Sequence, residues 1–414
     1  MGKTYHAAFA QIDITPEFPT ILVGRYRPDP VNEVLHPLYA QALLFQAKDE
    51  AFCLVAIDHL GLNVPLSNII RTKIAAILSV QTDHVMLNFS HTHSAPDVMP
   101  FALNGERYFA FLCAQIEKCV KTAMNGFCPC KIGWALTTVC IAENRRYGGT
   151  VIDHRLGAMM VADARNGKPM VLLTRIAAHA NILPTATAMI SGDFFGVVRQ
   201  ELEQELGVPA MVLQGAAGNL KVAGTGRFGE GDDDILYHIA QEVVRGARNL
   251  RFMLEDVTEI AMISSDITCI SDVPTVKESE KLVGDHHNPQ TNDWLAACAG
   301  LREQGIKTQA FQVEMSFLKL NQGCICGAPE EVFCELALDV QERTNNPLVF
   351  FNGYTNGCTG YLPSRDEWCK GGYEVQQSFF TYHQYSGRVM PYRAETADRF
   401  VDAVAHQWAQ MLQC

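Results

Sequence analysis

"HVMLNFSHTHSAP", residues 84–96, is an apolar run that ends in two histidines one residue apart and then a proline. The run suits a buried strand. His91 and His93 then fall at or just past its C-terminal end, the edge where open α/β sheets place ligands. In an extended segment residues i and i+2 share a face, so the pair is expected over one cavity, one imidazole set to bind a metal and the other beside it. Taken alone, this spacing fits a satisfied core pair as well as a metal site.

Similar runs recur outward from this one. "HPLYAQALLFQ", "AFCLVAID", "MVLLTRIAA", "AMVLQGAAG", "FQVEMSFLKL" and "LVFFNGY" read as strands. They alternate with amphipathic helical stretches near 65–79, 105–124, 194–206, 232–249, 290–304, 332–343 and 394–412. The expected class is α/β, with mixed β-sheets flanked by helices in one large catalytic domain spanning 1–414. The charged segment 275–294, "TVKESEKLVGDHHNPQTNDW", is expected to be an insertion or a mobile lid.

Composition narrows the function. A chain of 414 residues with 48% hydrophobic content can bury a large core, and a formal charge of −12 gives no basic surface for nucleic acid or an anionic membrane. The 14 cysteines lie in apolar runs such as "FLCAQIEKCV" and read as reduced core residues. The pairs Cys128/Cys130 and Cys324/Cys326 lack the spacing of structural zinc sites. No stretch has the length of a membrane span and the N-terminus has no apolar leader, so a cytoplasmic protein without stable membrane insertion is expected.

Further donors stand in comparable settings. His179 follows "LLTRIAA", and Glu330 and Glu331 in "CICGAPEEVF" lie between a strand and a helix. Two histidines and a carboxylate are usual ligand types for a catalytic zinc with an open position. The two glutamates also fit the anion preference of a helix N-terminus.

The blocks "AAFAQIDITP", "HPLYAQALLF", "VAIDHLGLN", "NFSHTHSAP", "AENRRYGG", "ISGDFFG", "LQGAAGN", "GAPEEVF", "NGYTNGCTGYLPS" and "GGYEV", in this order, resemble the catalytic domain of the neutral ceramidases and their smaller bacterial relatives. The resemblance implies a zinc site of His91, His179, Glu331 and Tyr373. It also implies that His93, Arg145 and Tyr385 help bind the substrate carbonyl. Zn2+ would lower the pKa of bound water to about 7, and the site would hydrolyse an amide or ester of a small-molecule acyl substrate. Asp58 and Asp193 are candidate acceptors that would orient a ligand imidazole, with helix capping as the alternative for Asp193.

The sequence departs from that pattern in two places. In "AAGNLKV", Asn219 and Lys221 stand where the family has aspartate and serine, and Glu330 stands where it has glycine. The first change points away from ceramide and towards a soluble substrate, as does the expected absence of a C-terminal immunoglobulin-like domain. Lys221 is expected either near the metal as a proton donor or solvated in a loop. Glu330 adds a negative charge beside the metal. A catalytically silent, metal- or ligand-binding relative is the alternative to an enzyme, and a Cys358 nucleophile is a third reading.

Overall fold

The computed structural model describes residues 4–48 and 50–413. Its largest sheet runs in the order Val85–Phe89, Glu50–Ile57, Tyr39–Ala47, His6–Asp13, Cys128–Thr138, Arg155–Asp163, Pro169–Ile176 and Ala210–Gln214, with the short strand Glu255–Asp256 beside Cys128–Thr138. Its two outermost pairs are parallel and the pairs between them are antiparallel. A second sheet runs Ile260–Asp272, Thr308–Leu320, Gly323–Gly327, Val349–Asn352.

Side-chain alternation builds the layers. Leu44, Val55 and Leu87 face the helices Val64–Leu78 and Gly105–Met124, whereas their neighbours Leu43, Leu54 and Met86 face Leu318, Ile325 and Phe350 of the second sheet. The helices Asp193–Leu206 and Asp233–Arg248 cover the other half of the large sheet, and Cys334–Thr344 and Thr396–Met411 cover the second. The order is therefore helix, sheet, sheet, helix. This is the mixed α/β class expected, with every strand and helical stretch named above present. Long strands such as Cys128–Thr138 and Ile260–Asp272 were not anticipated, because their half-exposed, polar alternation carries no continuous apolar run.

The large sheet curls until its two edges face each other. Asn88 on one edge strand donates to Gln214 O at 3.1 Å and accepts from Gln214 N at 2.8 Å on the other. Gln214 in turn donates to Ser90 O and Ala178 O. The turn after Val349–Asn352 seals the seam: Phe89 N donates to Tyr354 O and Gly353 N to Gly215 O. The segments that follow the strands Val85–Phe89 and Pro169–Ile176 are thus brought to one place.

Residues 275–294 hold the helix Val276–Val283 and the start of the helix Pro289–Glu303. Thr275 and Asn288 form capping boxes for the helices Val276–Val283 and Pro289–Glu303. Trp294 is fully buried with Val283, Cys298 and Val389, and its indole donates to Val389 O at 2.8 Å. The charged residues that suggest an insertion are the outer faces of these packed helices. None of the described helices is long and apolar enough to cross a membrane. Among the described residues the thirteen assigned cysteines are free.

Candidate metal centre

His91 is the pivot of the site. Its backbone is left-handed, φ 63°, held by a hydrogen bond from its N–H to His59 O. The chain therefore turns at the strand end instead of continuing extended, a conformation costing on the order of 1 kcal/mol for a non-glycine residue. The expectation of an extended pair fails in its geometry, yet both imidazoles still reach one place, their ring centres 5.0 Å apart. His93 N donates to Ala180 O, tying this segment to the one that carries His179.

Three imidazoles are then aimed alike. His91 Nδ1 lies 2.5 Å from Leu60 O, His93 Nδ1 3.0 Å from Gly24 O and His179 Nδ1 3.3 Å from Ala217 O. A carbonyl only accepts, so each Nδ1 carries the proton and each Nε2 keeps its lone pair. The three histidines offer ligand atoms within 4.8 Å of one another, and His93 Nε2 is buried with no partner. Burial pulls His91 down to about 3 and His93 and His179 well below the ordinary range, so all three are neutral, as metal ligands must be.

Glu331 completes the cluster. The short strand Glu331–Val332 pairs with Tyr361–Leu362, and the fully buried carboxylate comes 3.4 Å from His91 Nε2 and 3.8 Å from His179 Nε2. Tetrahedral zinc with bonds near 2.0 Å needs donor separations of about 3.3 Å. Tyr354 donates to Glu331 at 3.2 Å, and Tyr382 donates to its other oxygen. Burial pushes Glu331 up to about 7, against the pull of Arg145 and of these hydroxyls.

Glu330, the adjacent residue, faces the other way. Its carboxylate pairs with Arg388 at 2.7 Å and accepts from Thr359 and Tyr392. Neighbours in an extended segment point to opposite sides, so the added negative charge is neutralised away from the histidines. Asp58 and Asp193 are likewise elsewhere. Asp58 accepts from Tyr39 N and Arg199, and Asp193 accepts from Leu183 N and Phe194 N at the start of its helix. Backbone carbonyls, not carboxylates, orient the imidazoles.

A cleft of about 300 Å3 opens over this centre, lined by His91, His93, Glu331, Tyr373, Tyr382 and Tyr385 among others. Tyr373 is 46% exposed; its hydroxyl is pushed up to about 12 by burial and by Glu331. Tyr385 is pushed to about 12 by burial and Asp97, so it stays a donor. Arg145 does not line the cleft. It donates to Gly218 O at 2.7 Å and Tyr361 OH at 2.9 Å and pairs with Glu374 at 3.1 Å, so it stands behind Tyr361. Lys221 is also remote: it donates to Thr225 O and pairs with Glu143, both at 2.7 Å. Asn219 holds the helix Cys334–Thr344 by accepting from Cys334 N and donating to Glu335. Cys358 lines the cleft, but burial and Glu331 push its thiol well up, which disfavours a thiolate nucleophile.

Tyr354, Tyr361 and Tyr382 are participants that the sequence reading passed over. The first two lie inside the quoted block "NGYTNGCTGYLPS", and Tyr382 is one helical turn from Tyr385. Nothing in the sequence separates them from other tyrosines.

No protein-family model matches the chain, and no curated protein matches it. Among solved structures, a neutral ceramidase from Pseudomonas aeruginosa aligns with 99% of this chain and 75% of its own, at TM-score 0.72 and 18% identity. A ceramidase structure described as complexed with C2 aligns with 99% of this chain and 76% of its own, at TM-score 0.72 and 16% identity. Across nearly its whole length, this chain has the fold of the solved neutral ceramidases.

Proposed function

We propose that the protein is a zinc-dependent hydrolase of an amide or ester bond in a soluble acyl substrate, acting in the cytoplasm. The observation that carries this reading is the convergence of three neutral imidazoles, each with its Nδ1 tied to a carbonyl, on one another, with two of them beside a buried carboxylate. His91, His179 and Glu331 would hold the ion, with Tyr373 on the cleft wall as the fourth ligand. Zinc bound there would supply a Lewis acid and acidify water to a pKa of about 7.

The protein's own residues divide the remaining work. His93 is a bare acceptor at Nε2, so it is placed to accept a hydrogen bond from the attacking water, orienting it, and not to donate to an oxyanion. Tyr385 keeps its hydroxyl proton and is the donor towards the oxyanion. Arg145 acts through Tyr361, holding that hydroxyl beside Glu331, and is a positioning residue. With Cys358 held as a thiol and Lys221 paired elsewhere, attack comes from water without an acyl-enzyme.

The test is a panel of N-acyl amides and esters turned over by the zinc-loaded protein in 18O-labelled water. Hydrolysis lost on chelation, restored by zinc and placing one labelled oxygen in the acid supports the reading. An acyl adduct in intact-protein mass spectrometry overturns direct attack, and no turnover of any member favours a silent binding protein. Lys221 and Glu330, the departures from the family pattern, are engaged with Glu143 and Arg388.

A further inference from the structure

We infer that Arg146 is a positioning residue that holds Tyr373 at the metal centre; this rests on the ligand role proposed for Tyr373 and concerns what keeps that side chain in place. Tyr373 stands on a corner with little rigidity of its own. Gly371 and Gly372, immediately before it, have φ 61° and 90°, a region open to glycine. Tyr373–Gln377 is a single turn of π-helix, in which Tyr373 O accepts from Ser378 N at 2.9 Å. The Tyr373 ring meets that of Tyr361 near edge-on, with centres 6.2 Å apart. A metal ligand on such a corner needs an outside group to fix its direction.

Arg146 bridges the corner from both sides of Tyr373. Its Nη2 donates to Gly371 O at 2.6 Å, two residues before Tyr373, and its Nη1 donates to Glu374 at 2.8 Å, one residue after it. Nε donates to the Glu367 carboxylate at 2.9 Å and Nη2 also reaches Glu367 O at 3.3 Å, which ties the corner to the short helix Arg365–Trp368. All three nitrogens of the guanidinium are thus engaged. Gly372 packs so closely that a Cβ there would stand 3.1 Å from Nη1. The side chains of Arg146 and Glu367 are 7% exposed and that of Glu374 11%, so water competes little for these bonds.

The arginine is itself firmly placed. It follows the strand Ala142–Asn144, which pairs with Leu220–Val222, and its N–H donates to Asn144 Oδ1 at 3.0 Å. Glu374 is shared: its other oxygen pairs with Arg145 Nε at 3.1 Å, and Arg145 donates to Tyr361 OH. One carboxylate therefore couples the arginine that steadies Tyr361 beside Glu331 to the arginine that staples Tyr373. Lys370 takes the second oxygen of Glu367, so both carboxylates of the cluster are bound on each oxygen. Only a planar fork meets three acceptors spread around one corner, and a lysine ammonium at position 146 would not.

The test measures zinc affinity on the full chain, by competition with a chromophoric chelator, for the wild type, Arg146→Lys, Tyr373→Phe and the double variant. Urea denaturation of each metal-free protein reports on folding. Arg146→Lys is expected to weaken zinc about 10- to 100-fold, the range for removing a group that orients a ligand, and Tyr373→Phe at least as much. Without the Tyr373 hydroxyl Arg146 has nothing left to position, so adding Arg146→Lys to Tyr373→Phe should cost less than about 2-fold more. Should Arg146→Lys fail to fold, Gly372→Ala, which presses on Nη1 from the corner, carries the same comparison with the same expected result. Unchanged affinity in the single variant, or the same fold loss with and without the Tyr373 hydroxyl, would overturn the assignment and leave Tyr373 a ligand, the arginine then being a purely structural ion pair. Wild-type affinity in Tyr373→Phe would instead remove Tyr373 from the ligands, and this role with it.

Discussion

His91 and Glu331, far apart in the chain, meet in the fold with Nε2 3.4 Å from Oε2. Both are buried and each is oriented by its own hydrogen bonds, and in the proposed function the pair would be two ligands of one ion. Elemental analysis is expected to give one zinc per chain. His91→Ala and His179→Ala should lose it, whereas His93→Ala should keep it and lose turnover. A His93 variant without metal would make His93 a ligand.

Tyr382 and Tyr385 lie on one short helix yet serve different ends. Tyr382 donates to Glu331, and Tyr385 lines the cleft without touching it. Tyr382→Phe should weaken zinc about 10- to 100-fold, as expected when a hydrogen bond to a ligand is removed. Tyr385→Phe should leave zinc affinity unchanged and lower kcat by about 100-fold. Competition with a chromophoric chelator, alongside steady-state kinetics, separates the two.

The adjacent glutamates should part company in the same way. Glu330→Gln leaves Arg388 buried without its carboxylate partner, and breaking such a pair costs about 3–5 kcal/mol. The variant should lose that much in urea denaturation while keeping its zinc. Glu331→Gln should lose zinc first.

Asp153 sets a pH dependence remote from the centre. Burial opposes its charge, but Arg175 at 2.7 Å and Arg155 at 2.8 Å outweigh burial and hold the carboxyl well below its ordinary range. A depressed folded-state pKa gives stability that is fully present above the unfolded value, about 4, and is lost as pH falls towards the folded value. Chemical denaturation of the wild type should therefore weaken below about pH 5. Asp153→Asn should be less stable at neutral pH and flatter in that acid range. A parallel pH profile for the two proteins would contradict the account.

Gly24→Ala tests the packing of Gly24 against His93. The new methyl would meet His93 at 2.7 Å in a backbone region closed to alanine. Turnover should fall at least about 10-fold through displacement of His93, with zinc content retained.

Much of the frame was legible because burial writes itself into sequence. "HVMLNFS", "AFCLVAID" and "MVLLTRIAA" are strands covered on both faces, so most of their residues are apolar and the run stands out. The histidine pair was visible for the same reason, as polar residues at the end of such a run. The half-exposed strands were not, since alternation alone does not separate them from amphipathic helix or loop. Nor was the packing of 275–294, where one buried Trp294 outweighs a charged exterior.

By itself, the sequence determined the α/β class, singled out His91, His93, His179 and Glu331 as candidate site residues, and showed the departures at Asn219, Lys221 and Glu330. Only the tertiary structure decided what those residues face. The curl of the large sheet, closed by Asn88 and Gln214, sets two strand ends together, and the opposite facing of adjacent residues sends Glu331 to the histidines and Glu330 to Arg388. Arg145 and Lys221 are spent on Glu374 and Glu143. The physical reason is that a charge's role depends on which opposite charge lies within a few ångströms, and those partners come from distant parts of the chain.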